Sequence, residues 1–157
     1  MAFGVVEEAA TDLIAWWLAR GVTEPWTQRA FIDAIVDLQR RRQVRAADWE
    51  DQVQFHDRSV VCTAALATYL GYPVSGALAQ ELSRITTEEV YQRDVFFIRN
   101  LGFISPTDAR RISFNDALRF ERIHEEAYRE LGFGIIFVEP GDLSERVAVI
   151  KRAVSAD

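Results

Sequence analysis

Apolar residues along this chain occur either in short continuous runs or in stripes at helical spacing, a pattern typical of α/β proteins. Short runs rich in valine, isoleucine and phenylalanine predict strands at Phe3–Val6, Asp94–Ile98 and residues 133–138, each buried in a parallel sheet. The alternating segment 52–56 predicts a further strand. These segments are too short for helices, so they are expected to form a sheet.

Apolar positions three and four residues apart predict helices between and after the strands. Glycines end several of them, and two begin at capping boxes, Ser113 with Asp116 and Asp142 with Glu145. The predicted helices cover residues 11–20, 25–46, 60–70, 75–84, 113–131 and 142 onward. The resulting order, β-α-α-β-α-α-β-α-β-α, predicts a mainly parallel α/β sheet in one domain that spans residues 1–157.

Composition and charge narrow the class of protein. Apolar residues make up 49% of the chain and charged residues 27%, which is enough for a packed core. The net charge of -6 gives no general positive field for nucleic acid or an anionic membrane, and no apolar stretch approaches the roughly 20 residues of a membrane helix. The lone Cys62 cannot form an intramolecular disulfide, so a reducing, cytoplasmic location is expected.

Candidate chemistry follows the predicted strands, where the carboxyl ends of parallel strands gather ligands. Glu8 follows the first strand, and Asp57 and Arg58 follow the second. Arg110 and Arg111 lie in a polar loop after the third. We therefore expect Asp57, Glu8 and at least one of the two loop arginines to share a cleft.

The Asp57-Arg58-Ser59 triplet has two interpretations of equal weight. A carboxylate at a strand end can hold Mg²⁺ or orient a hydroxyl, while the adjacent guanidinium binds a phosphate. Alternatively, Asp57 or Ser59 caps the following helix.

Other charged and reactive residues favour structural interpretations. Taken alone, Arg110 and Arg111 fit solvated surface arginines better than a phosphate-binding loop. The arginines of 40–45 fit a solvated helix end, where the helix dipole favours cations. Cys62 fits a buried, inert thiol.

Five segments taken together resemble a known family. They are Val5-Val6-Glu7-Glu8-Ala9-Ala10, Phe55-His56-Asp57-Arg58-Ser59, Thr107-Asp108-Ala109-Arg110-Arg111-Ile112-Ser113-Phe114-Asn115-Asp116-Ala117, Tyr128-Arg129-Glu130-Leu131-Gly132-Phe133 and Glu139-Pro140-Gly141. From Val5 to about Ala153 the chain resembles the AAA-type P-loop ATPase or kinase-like domains, the group shared with the ribosylnicotinamide kinase domain of the bacterial NAD regulator.

The resemblance implies a three-layer P-loop NTPase fold that binds ATP or GTP with Mg²⁺ and hydrolyses the nucleotide or transfers a phosphoryl group to a small-molecule acceptor. It implies that Asp57 lies near the metal and the acceptor, and that Arg58 contacts a phosphate or the substrate. Glu8 would be a substrate-side carboxylate. Arg110 and Arg111 would be catalytic, nucleotide-binding arginines of a lid.

One departure from the family concerns its phosphate loop. The family begins with a strand, a G-x-x-x-x-G-K-[ST] loop and a helix, whereas this sequence begins at what resembles the second strand. Of the 18 basic residues only Lys151 is a lysine, and it lies in the last predicted helix. We expect an upstream start, about 25 to 30 residues earlier, the length of one strand-helix unit.

The missing strand would lie between the strands that contain residues 53–55 and 95–98, which are expected in one sheet about 9 to 10 Å apart. Such exposed edges would favour self-association. The alternative function is a non-catalytic α/β interaction module that keeps the frame without nucleotide chemistry.

Overall fold

A computed structural model describes residues 3–50, 53–101 and 113–155 of the 157-residue chain. The predicted lid arginines Arg110 and Arg111 lie outside these described residues. Their place in the fold therefore stays a prediction.

The described residues form a mixed α/β protein, as the apolar pattern predicts. The strands are β1 (Phe3–Val6), β2 (Val53–His56), β3 (Asp94–Ile98) and β4 (Gly134–Val138). The α-helices are α1 (Ala9–Leu18), α2 (Arg29–Ala46), α3 (Val60–Tyr69), α4 (Gly76–Thr87), α5 (Phe114–Glu130) and α6 (Leu143–Val154). None of the helices in these ranges is long and apolar enough to cross a membrane.

The second predicted helix starts later than the sequence pattern indicates. Pro25 opens a separate 3₁₀ turn, Pro25–Thr27, and the extended backbone of Gln28 separates this turn from α2. Pro25 is fully buried, and the Thr27 hydroxyl donates to the Glu24 carbonyl at 2.7 Å, so local packing holds the turn apart from the helix. Proline fixes only its own φ angle, and it cannot ensure that the helix continues beyond the first turn.

Residues 1–90 form one compact unit. Its strands β1 and β2 pair in parallel, with Phe3 opposite Val53 and Val6 opposite His56. Helix α2 packs against α1, α3 and α4. The core cluster contains Ala9, Ile14, Phe31 and Ile35, with the ring of Trp17 edge-on to Phe31 at 5.6 Å.

Strand β1 is buried on one face only, which corrects the expectation of a fully buried strand. Val6 is 7% exposed, whereas Phe3 and Val5 are 46% and 59% exposed. Apart from its sheet partner β2, strand β1 packs mainly against helix α2. Successive side chains of a strand point to opposite faces. Covering one face therefore buries every second residue of β1.

Residues 91–157 form the second compact unit. Strands β3 and β4 pair in parallel, with Asp94 opposite Gly134 and Ile98 opposite Val138. Helices α5 and α6 both contact β4. β3 is also less buried than expected, since Phe97 is 8% exposed but Ile98 is 47% exposed.

The predicted caps hold in part. The Ser113 hydroxyl accepts from the Asp116 N–H at 3.1 Å, as the capping box predicts. Asp142 occupies the N-cap position of α6 but makes no side-chain cap hydrogen bond. Its carboxylate therefore does not supply the predicted cap.

The described strands make two two-stranded sheets, β1–β2 and β3–β4. This confirms parallel α/β pairing. Three further expectations stay predictions. They are the three-layer arrangement around one sheet, the gap between the strands at 53–55 and 95–98, and the single domain over residues 1–157.

His56, the last residue of β2, gives the fold an expected pH dependence. Burial lowers the pKa of its imidazole. Below about pH 6.5 the unfolded chain binds a proton that the folded chain does not, so the free energy of unfolding should fall with falling pH. His56 lowers the free energy of unfolding by at most about 1.4 kcal/mol per pH unit. This contribution stops below the lowered pKa, where the folded protein is protonated too.

Urea unfolding of the native protein and of His56→Gln, measured between about pH 5 and 8, checks this. The variant should show a flatter pH dependence below about pH 6.5. Parallel curves for the two proteins would show that His56 does not contribute.

Candidate functional site

Parallel pairing of β1 with β2 brings the first two predicted site segments together. The Asp57 backbone N–H donates to the Val6 carbonyl at 2.8 Å and extends the ladder by one residue beyond β2. Just past this point, Arg58 Nε lies 3.6 Å from Glu8 Oε1. The two strands therefore place a carboxylate and a guanidinium from distant parts of the sequence side by side.

Ser59, rather than Asp57, caps the helix that follows. The Ser59 hydroxyl accepts from the Val61 N–H at 3.2 Å, and Ser59 is buried at the start of α3. Asp57 is exposed and precedes the cap by two residues. Of the two capping alternatives, the structure selects Ser59.

The backbone of Arg58 takes an unusual conformation. Its φ of 73° lies in the left-handed region, which costs a residue with a Cβ about 1–2 kcal/mol. Arg58 makes the corner between the end of β2 and the Ser59 cap, so both neighbours hold it there. Strain of this kind persists only where the surrounding structure imposes it, and it is frequent at functional sites.

The electrostatic environment keeps Arg58 charged. Desolvation acts to lower the pKa of Arg58, although its side chain is 42% exposed, but its contact with Cys62 and the carboxylates of Glu8 and Asp57 raise it overall. A permanently charged guanidinium can bind a phosphate oxygen, in competition with the carboxylates beside it.

Cys62 differs from the sequence expectation, because it is half-buried and interacts with Arg58. Sequence reasoning missed this contact. The spacing of four residues between Arg58 and Cys62, across the start of α3, could have indicated this contact.

Glu8 is oriented by its own helix. It occupies the N-cap position of α1 but makes no side-chain cap bond. Instead, the Thr11 hydroxyl donates to Glu8 Oε2 at 2.6 Å, while Oε1 is the atom nearest Arg58 Nε. The carboxylate is therefore not used in capping and has one oxygen beside the guanidinium.

Arg42 is a site neighbour that sequence reasoning missed. Its Nη1 donates to the carbonyls of Glu7 and Glu8 at 2.9 and 2.8 Å, and its Nη2 pairs with Asp12. The Arg42 side chain is only 18% exposed, whereas that of Arg41 is 75% exposed. The expectation of a solvated run at 40–45 is therefore wrong for Arg42, because the turn after β1 lies against this part of α2.

The described residues fit one part of a magnesium-nucleotide site and not another. Mg²⁺ bound to a nucleotide needs only one or two protein carboxylates, and the exposed Asp57 can supply one. Among the residues described, no group of three His, Cys, Asp or Glu side chains could hold a metal by itself. The G-x-x-x-x-G-K-[ST] motif of a phosphate loop does not occur in this sequence, whose one lysine, Lys151, is in α6.

Comparison with known proteins gives one match. A family model described as an AAA domain matches residues 1–146. No curated protein and no solved structure matches the chain. The matched range includes Glu8, Asp57 and Arg58, and also Arg110 and Arg111 in the segment outside the described residues.

Two substitutions of Arg58 should separate its backbone strain from its side-chain contacts. Arg58→Ala and Arg58→Gly both remove the guanidinium, but only glycine adopts a φ of 73° without a Cβ penalty. We expect the glycine variant to be more stable than the alanine variant by about 1 kcal/mol.

Urea unfolding of both variants at neutral pH measures this difference. An alanine variant as stable as the glycine variant would contradict a strained Arg58.

Proposed function

The chain belongs to the AAA domain family, and on that premise we propose that it provides the acceptor side of a P-loop ATPase or small-molecule kinase that uses ATP or GTP with Mg²⁺. The observation that supports this best is the Glu8 carboxylate beside the Arg58 guanidinium at the carboxyl ends of two paired parallel strands. In α/β proteins, ligands collect at this edge.

Each residue has a proposed role that follows from its chemistry. Arg58 binds a phosphate oxygen of the nucleotide or substrate, since a guanidinium forms charge-assisted hydrogen bonds with phosphates. Glu8 holds a polar group of the acceptor. Asp57, exposed and two residues before the cap, orients the acceptor hydroxyl and contacts Mg²⁺. Arg110 and Arg111 are proposed as the lid arginines.

The 157-residue chain should bind nucleotide weakly or not at all. A triphosphate is strongly hydrated, and without the amide cradle and its lysine only arginines remain to replace its water. In calorimetric titrations with Mg-ATP and Mg-GTP we expect dissociation constants of about 1 mM or weaker. Micromolar affinity would contradict this prediction.

A second titration separates the proposal from its alternative. It uses a longer protein in which a strand, a phosphate loop and a helix are joined before residue 1. Mg-nucleotide binding only in this longer protein supports the proposal. Binding in neither protein favours the non-catalytic interaction module.

One observation favours that alternative. Each described sheet has two strands, so each of these strands has an edge that no other described strand occupies. Such edges can pair with another chain. Light scattering at increasing protein concentration would detect the self-association that the alternative expects.

Asp57→Asn tests the acceptor role in the longer protein of the second titration, once that protein binds Mg-nucleotide. Loss of the carboxylate should lower turnover about 100-fold or more, while Mg-ATP affinity changes far less, because orientation of the hydroxyl is lost. Steady-state kinetics and calorimetry give the two values.

The matched control is Asp48→Asn, which removes an exposed carboxylate away from the strand ends. This variant should leave both the turnover and the Mg-ATP affinity unchanged. An equal loss of affinity and turnover in Asp57→Asn would assign the carboxylate mainly to Mg²⁺ binding.

A further inference from the structure

We propose that Arg42 is a positioning residue that holds the turn after β1 so that the Glu8 carboxylate stays beside Arg58. Its consequence for activity rests on the proposed function. The positioning itself depends on contacts within residues 1–90, and it can be measured without an activity assay.

The contacts of Arg42 converge on the one turn that carries Glu8. Nη1 donates to two successive carbonyls, those of Glu7 and Glu8, and Nη2 pairs with the carboxylate of Asp12 on α1. The guanidinium therefore fixes both the turn and the first part of the helix that follows it.

Helix α2 gives Arg42 a rigid base. Its buried residues include Phe31, Ile32, Ile35 and Val36, and it packs against α1, α3 and α4. A side chain anchored on such a helix holds its partner more precisely than one on a loop. This explains why Arg42 can act as a fixed support rather than as a mobile surface charge.

Arg42 and Thr11 restrain different parts of Glu8. Arg42 holds the main-chain carbonyl, and the Thr11 hydroxyl holds Oε2. Together these contacts leave Oε1 at 3.6 Å from Arg58 Nε. A turn released by loss of Arg42 would let the carboxylate move away from Arg58 even though both charged groups remain present.

A guanidinium suits this task better than an ammonium group. The planar fork of arginine presents several N–H groups in fixed directions, so it can serve two carbonyls and a carboxylate together. Lysine keeps the charge but has a single nitrogen on a flexible stem. Arg42→Lys therefore removes the geometry while it retains the electrostatic attraction to Asp12.

The test is a double-mutant measurement on the 157-residue protein by NMR of the arginine Nε–H groups. Glu8→Gln removes the negative charge beside Arg58 and should shift the Arg58 Nε–H resonance. The same substitution made in an Arg42→Lys background should produce less than half of that shift, because Glu8 no longer lies beside Arg58. An undiminished shift in the Arg42→Lys background would overturn the inference.

Arg41→Lys is the matched control. It lies on the same helix, and among the described residues it pairs with Asp37 at 2.9 Å and not with the turn after β1. In its background, Glu8→Gln should give the full shift. A purely structural role for Arg42 would lower the free energy of unfolding in urea without reducing the Glu8→Gln shift, and that result would also overturn the inference.

Asp12→Asn keeps the inference testable if Arg42→Lys does not fold. Asp12 is 56% exposed, so its substitution should be tolerated, and it removes the negative charge of only one of the three Arg42 partners. We expect a smaller reduction of the Glu8→Gln shift in this background. No reduction would count against the inference.

Measurements on the longer protein of the second titration separate failure of this inference from failure of the proposed function. There, Arg42→Lys should lower turnover while Mg-ATP affinity stays within about twofold. If the NMR coupling is found but no version binds nucleotide, positioning by Arg42 stands and the proposed function fails. If the coupling is missing, positioning fails whatever the activity.

Discussion

The parallel pairing of β1 with β2 is the constraint on which the candidate site depends. Parallel strands end at the same edge of a sheet, so the residues that follow them meet even when they are far apart in sequence. The register that sets Val6 opposite His56 places Glu8 and Arg58 one short turn beyond their strands. A slip of one residue would send these side chains to the opposite face and would break the Glu8–Arg58 pair.

Three partly buried arginines of the described residues each bind several polar groups. Arg42 holds a turn, and Arg84 of α4 donates to Glu81 of the same helix at 2.8 Å and to Gln43 of α2 at 2.6 Å. Arg99 lies between Glu121 and Glu125, over the ring of Phe137 at 4.1 Å. In each case a single guanidinium serves several acceptors, which the single nitrogen of lysine cannot do with the same fixed geometry. The preference for arginine in this sequence thus has a structural use apart from nucleotide chemistry.

The sequence by itself determined the elements, because their information is local. Apolar periodicity and short caps predicted the order of strands and helices, the Ser113 cap and the strand ends that carry Glu8 and Asp57. It could not decide between Asp57 and Ser59 as the cap, since both residue types suit that position and the choice depends on where the backbone turns.

Only the tertiary structure decided which distant groups meet. The Glu8–Arg58 pair and the contact of Arg42 with the turn after β1 join residues far apart in sequence. A charged residue at a helix end looks the same in sequence whether solvent or a neighbouring turn covers it. Its partner depends on the packing of buried apolar faces and on strand register. The residues next to it in sequence determine neither of these.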